Sequence, residues 1–309
     1  MNISQRMCAN RAVVYLLSAI AIILWGMSYI WSDRLIALGI PIFYFVPIRI
    51  CLAGLLLLLF NLATGAFKRI ASWPDLLKFL ALSLCEPFVY FLCETYGIKE
   101  TGSPTVSAMI IATVPVFSVG AGYLFFRERT SWLNALGILV TLVGVLFVLH
   151  ARTLTGSGEH FYLGVALLVG AVLVEVGHAT LTKCLTARYK PQVVVMYQFL
   201  IGTVYFLPLF LTKGLEGFRP SWIAWEVLGP IVALAALCSS LAFSLWALTI
   251  KQLGVAKSSV FLAMMCVATA LAAEMLGQEH LGRIQWLGTA VAVVGIVLSQ
   301  YNKRCGRSR

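Results

Sequence analysis

Residues 12–31 read AVVYLLSAIAIILWGMSYIW, twenty positions without a charged side chain. At about 1.5 Å of rise per residue this run spans about 30 Å as a helix, the thickness of a bilayer's hydrocarbon core. Arg6 and Arg11 precede it, and Asp33 and Arg34 follow it. The run is longer than the apolar stretch of a cleaved leader and lacks a small-residue cleavage site, so it is expected to stay as the first helix.

Outward from that stretch, nine more apolar runs follow, near 41–61, 76–97, 104–126, 132–149, 162–184, 191–212, 226–249, 257–277 and 284–300. Short turns rich in Gly, Pro and Ser separate them, such as Gly39-Ile40-Pro41 and Gly102-Ser103-Pro104. The expectation is an all-α integral membrane protein of ten transmembrane helices. The composition agrees: 61% of the chain is hydrophobic and only 11% charged, against roughly 25% charged in a soluble domain. The formal charge of +11 does not point to nucleic acid, because the basic residues stand singly or in pairs at the ends of apolar runs. The eight cysteines form no CxxC pair and HExxH is absent, so no metal or cofactor is expected.

Orientation follows from the basic residues. With the N-terminus inside, sixteen of them fall on the cytoplasmic side, among them Lys68, Arg69, Lys78, Arg188 and Lys190. Six fall outside (Arg34, Lys99, Arg152, Lys213, Arg219 and Arg283). That bias predicts both termini in the cytoplasm.

An internal repeat divides the chain. A shift of 151 positions carries Arg127-Glu128 onto Gln278-Glu279, Gly137 onto Gly288, and Gly144 onto Gly295. One more residue of shift brings Trp73 onto Trp225 and Gly102 onto Gly254. The halves, 1–150 and 151–309, would hold five helices each. Five is odd, so the second copy lies inverted relative to the first, an arrangement suited to alternating access. Glu128 and Glu279 each close a span and read as helix-end residues. Gly120, Gly122 and the seven-residue glycine spacings in the fifth and tenth runs suit close helix packing, within the chain or in a homodimer.

On these motifs the chain resembles the drug/metabolite transporter superfamily, specifically the EamA-type family. The resemblance rests on Trp25-Gly26, Arg49, Ser107-Ala108 through Pro115, Glu128, Gly137 and Gly144. In the second half Ser259, Glu279, Gly288 and Gly295 stand in the matching places, while Cys266 and Val176-Gly177 depart from the pattern. It implies ten helices in two repeats in the inner (plasma) membrane, with both termini cytoplasmic. It also implies movement of small organic solutes, often export of amino acids or related metabolites.

Ionisable residues inside the runs are few: Arg49, Glu86, Glu94, Glu175, His178 and Glu274. Each is costly in lipid unless it pairs or faces a cavity. Counted from the outer ends, Arg49, Glu86, Glu175 and His178 lie about 12, 17, 20 and 24 Å deep. Glu94 and Glu274 lie within about 5 Å of the outer interface and are expected in an outer vestibule with Tyr44, Tyr96 and Glu100. Arg49 reads either as an anchor for a substrate carboxylate or as the ion-pair partner of Glu86 or Glu175. Glu86 precedes Pro87, which should kink the third run and open a polar niche. Glu175 and His178, three apart on one helix face, can carry a coupling proton or form a satisfied pair. Trp25, Tyr29, Phe45, Tyr90, Tyr197 and Trp246 are candidates for an apolar pocket.

A secondary transporter, an exporter in the resembled family's manner, fits these features; a channel-like pore or a structural or regulatory membrane protein is the alternative. No filter ring, GxSxG or paired aspartates occur at depth, so neither a selective pore nor an enzyme is favoured. The partners expected are a small-molecule substrate and membrane lipid.

Overall fold

The computed structural model describes residues 3–117, 132–154, 159–253, 258–277 and 280–300. Glu128, Glu279, Gly120 and Gly122 lie outside the described residues. The described chain is helical: α1 Ile3–Ala37, α2 Ile42–Ala63, α3 Trp73–Ser83, α4 Tyr90–Thr101, α5 Pro104–Ile111 and α6 Trp132–Leu154. It continues with α7 Phe161–Thr186, α8 Pro191–Leu209, α9 Trp225–Ala233, α10 Ala242–Leu253, α11 Ala263–Met275 and α12 Arg283–Gln300.

Among the described residues, six helical stretches are long and apolar enough to cross a membrane: Val13–Ala37, Ile42–Ala63, Trp73–Thr101, Phe161–Thr186, Pro191–Gly214 and Trp225–Leu253. Three shorter apolar helices accompany them, at Pro104–Phe117, Leu139–Val148 and Met264–Met275. The outer surface is apolar, with Leu16, Leu59, Leu139 and Val204 each at least 60% exposed. In water that surface would be a liability; in a bilayer it is the lipid contact. The chain is a multi-span helical membrane protein.

Three spans are wound locally as π-helix: Leu84–Val89 joins α3 to α4, Phe210–Gly214 extends α8, and Leu234–Leu241 joins α9 to α10. Each holds a proline or follows one closely (Pro87, Pro208 and Pro230), whose missing N–H releases a carbonyl from the ladder. The kink expected at Glu86-Pro87 is present, with Glu86 extended at φ −145°, ψ 124°. Gly202 of α8 makes room for it: a Cβ there would run into the Pro87 ring.

Packing crosses between the parts of the chain. Helix α1 lies against α10 and α11, while α7 lies against α4 and α5; α2 runs along α8. The tightest pair is α6 with α12. A Cβ on Gly144 would strike the Ala292 backbone, and one on Gly295 would lie 2.8 Å from the Gly137 carbonyl oxygen. The seven-residue glycine faces of α6 and α12 are therefore filled from within the chain.

Candidate functional site

A cavity opens where α1, α2, the first π turn, α4, α7 and α10 converge. Its walls carry Trp25, Tyr29, Arg49, Glu86, Tyr90, Glu94 and Glu175, closed by Phe91 and Phe243. About 30 Å³ is free at its centre, room for about two waters; the empty volume between its walls, mouth included, is about 410 Å³. Any organic solute larger than a few atoms therefore needs the helices to part.

On the α7 side three groups meet. His178 Nδ1 lies 2.8 Å from Glu86 Oε2 and 3.0 Å from Glu175 Oε2. The approach satisfies hydrogen-bond geometry with Glu175 but not with Glu86, whose Oε2 is buried without a hydrogen-bond partner among the described residues. His178 Nε2 faces Thr182 Oγ1 at 3.3 Å. One ring nitrogen thus serves two carboxylates. With an imidazolium and two carboxylates the cluster carries one negative charge, and one further proton brings it to neutrality, the inexpensive state in a dry interior. The same atoms are a conceivable metal set, since their ligand atoms lie within 4.8 Å of one another. Their contacts are hydrogen-bond lengths, shorter than the separation of about 3.3 Å that tetrahedral metal bonds would impose.

Arg49 takes no part in that cluster. Its Nε donates to Ser239 Oγ at 2.8 Å, and its guanidinium carbon sits 4.4 Å from the Phe91 ring centroid. Among the described residues it makes no ion pair within 4.0 Å, so the pairing considered with Glu86 or Glu175 is not formed. His178 holds both of those acids instead.

Glu94 is buried on the cavity wall, where it accepts a hydrogen bond from Tyr90 at 3.1 Å. Sequence counting set it apart from Glu86 in a vestibule; the structure puts both on one wall. Glu274 is elsewhere, exposed and accepting from Trp286 Nε1 at 3.3 Å. Trp25 is fixed by a 3.1 Å hydrogen bond from its Nε1 to the Cys238 carbonyl and by edge contacts with Phe243 and Trp246. Tyr29 and Tyr90 also face the cavity, whereas Phe45 is core, Tyr197 bonds the Lys68 carbonyl, and Tyr44 packs on Trp222. Sequence reasoning missed Cys238 and Ser239; the available signal was Pro230, a helix breaker inside an apolar run.

A helical membrane protein with a buried, charged and aromatic central cavity, and with no catalytic signature, has the layout of a solute transporter. The chain belongs to the EamA-like transporter family, whose model matches it twice, at residues 12–150 and 162–301. It is a transporter and not an enzyme. It is 25% identical over 302 residues to the uncharacterized transporter YetK of Bacillus subtilis, covering 95% of this chain and 88% of the relative. It is 31% identical over 226 residues to a probable terminal-alkyne amino-acid exporter of Streptantibioticus cattleyicolor, 71% of each chain. The uncharacterized inner membrane transporter YedA of Escherichia coli K12 is 24% identical over 293 residues, 91% of this chain and 88% of that one. A solved crystal structure shares the fold with a TM-score of 0.71 at 18% identity, over 94% of this chain and 97% of the other.

Proposed function

We propose that the chain is a secondary active exporter of a small organic solute, an amino acid or related metabolite, coupled to protons at Glu86, His178 and Glu175. The observation that carries this reading is the single imidazole nitrogen shared by two buried carboxylates on a cavity wall. A cationic group of the solute and a proton would compete for the same two acids, which is the elementary requirement of exchange. Arg49 stands apart from them, with no ion pair within 4.0 Å among the described residues, in the position to take a solute's carboxylate. The relative described as an amino-acid exporter supports the same substrate class.

The architecture we infer is ten helices in two inverted five-helix repeats, residues 1–150 and 151–309, with both termini cytoplasmic. Three observations support it. The family model matches once in each half. The π turns at Leu84 and Leu234 begin 150 residues apart. The packing of α1 on α10 and α11 has its counterpart in α7 on α4 and α5. Exchanging the two halves' conformations would then turn the cavity from one face to the other.

Purified protein in liposomes tests the reading. A pH gradient should drive saturable accumulation of a proteinogenic amino acid, and reversing the gradient should reverse its direction. Flux that only dissipates the solute's own gradient without saturating would make the protein a pore. A periplasm-active reporter fused after Arg309 should be silent and one inserted after Gly156 active; the reverse pattern would overturn the orientation.

A further inference from the structure

One cation on the cavity wall lacks its usual partner. Arg49 is 2% exposed, and a buried guanidinium without a carboxylate is costly unless something else holds it. What holds it is a hydroxyl and a ring. Ser239 Oγ accepts from Nε at 2.8 Å, and the Phe91 face lies 4.4 Å from the guanidinium carbon. Neither contact uses Nη1 or Nη2, for which no hydrogen bond is found among the described residues.

The geometry of guanidinium gives this arrangement a meaning. Nε points along one edge of the plane, while Nη1 and Nη2 form the fork that takes both oxygens of a carboxylate. A guanidinium pinned at Nε and laid on an aromatic face has lost the rotations that would blunt that fork. Ser239 itself belongs to the π turn Leu234–Leu241, whose neighbouring Cys238 carbonyl receives Trp25 Nε1. Two cavity residues, Arg49 and Trp25, are therefore both set by consecutive residues of one turn.

We propose that Ser239 is a positioning residue that holds Arg49 against Phe91 with its Nη fork turned into the cavity, where the fork receives the carboxylate of the solute. This rests on the reading of the cavity as the transport site. Without the serine hydroxyl the guanidinium is free to swing toward Glu94, which lines the same cavity, and an internal ion pair would close the anchor. The serine thus keeps the anchor open.

Phenylglyoxal, which attacks arginine at its two Nη atoms, tests this on the purified full-length protein. Modification of the peptide carrying Arg49 is followed by mass spectrometry, with sodium propionate as the carboxylate probe and propionamide as the uncharged control. Propionate should protect Arg49 in the wild type and propionamide should not. Ser239→Ala should raise the propionate concentration needed by about tenfold or more, the size of a lost hydrogen bond to a charged group. Ser239→Thr, which keeps the hydroxyl, should restore protection, and the exposed Arg219 and Arg283 should react alike in all variants. If Ser239→Ala fails to fold, Ser239→Cys should show an intermediate loss. Unchanged protection in the folded alanine or cysteine variant, or no protection in the wild type, overturns the proposal. Protection without any saturable flux in liposomes would instead defeat the transport reading and leave the anchor standing.

Discussion

Two buried acidic clusters in this molecule differ in how their charges are met. Asp75, at the start of α3, is 1% exposed. Its carboxylate accepts from Tyr189 Oη at 3.0 Å and from Arg188 Nη1 at 3.3 and 3.4 Å, with Lys78 Nζ 3.9 Å away. Tyr189 in turn accepts from the Ala71 amide at 2.9 Å, and Lys68 Nζ lies 5.0 Å over its ring while donating to the Arg188 carbonyl. Both carboxylate oxygens and the phenol there have partners, and the cluster clasps residues 66–75 to the turn between α7 and α8. The central cluster is the opposite case. Two carboxylates share one nitrogen, and among the described residues Glu86 Oε2 has no hydrogen bond and Arg49 no ion pair within 4.0 Å. A satisfied network fixes a structure; an unsatisfied one beside a cavity is a place for something to bind.

Glu175 is where the two clusters should differ most. Glu175→Gln removes one of the two acids, and proton-driven accumulation in liposomes should fall to background while the folded yield is kept and the purified protein still binds the solute, more weakly, through Arg49 and Glu86. If binding and folded yield fell together with transport, the central cluster would be a clasp like the other. Asp75→Asn should do the reverse, lowering the melting temperature by several degrees and leaving transport per folded molecule near the wild-type level. A smaller effect is expected for Tyr189→Phe, about 1 kcal/mol in an unfolding titration, because one hydroxyl leaves both Asp75 and the Ala71 amide short of a partner.

Tyr189 also sets a pH expectation. Its phenol, in the turn between two spans, is pushed above the ordinary value, first by burial and then by its bond to Asp75. A raised folded pKa means the phenol's contribution is complete below the ordinary value of about 10 and is lost only above it. The melting temperature difference between wild type and Tyr189→Phe should therefore be flat between about pH 6 and 9. A difference that vanished on going to mild alkali would place the phenol wrongly. The smallest effect belongs to Glu274→Gln. Its carboxylate is exposed and, among the described residues, holds only Trp286, so stability should change by no more than about 0.5 kcal/mol and transport not at all.

Sequence and structure agree where the information is local. The long apolar runs mark the helices because hydrocarbon tolerates few charges over that length. Pro87 marks the kink because it has no N–H to give. Glu175 and His178 meet because residues three apart share a helix face. What could not be read is what crosses between helices. Glu86 reaches His178 from another span, and Ser239 reaches Arg49 across 190 residues of chain. That Glu94 shares a wall with Glu86 could not be read for a related reason: depth along a straight helix says nothing of which way a side chain faces after the π turn resets the phase. The Asp75 clasp was invisible because a polar residue at a helix start is ordinary at a membrane surface, and only the fold brings Tyr189 to it.

The central claim, that the unsatisfied cluster carries a transferable proton and the satisfied one does not, comes down to one measurement. Liposomes loaded with a pH-sensitive dye would hold the wild type, Glu175→Gln or Asp75→Asn at equal amounts of folded protein, and a mixture of proteinogenic amino acids would be added outside. A solute-dependent internal pH change is expected for the wild type and for Asp75→Asn, and none for Glu175→Gln. An equal pH change from Glu175→Gln, or its loss in Asp75→Asn alone, would contradict it.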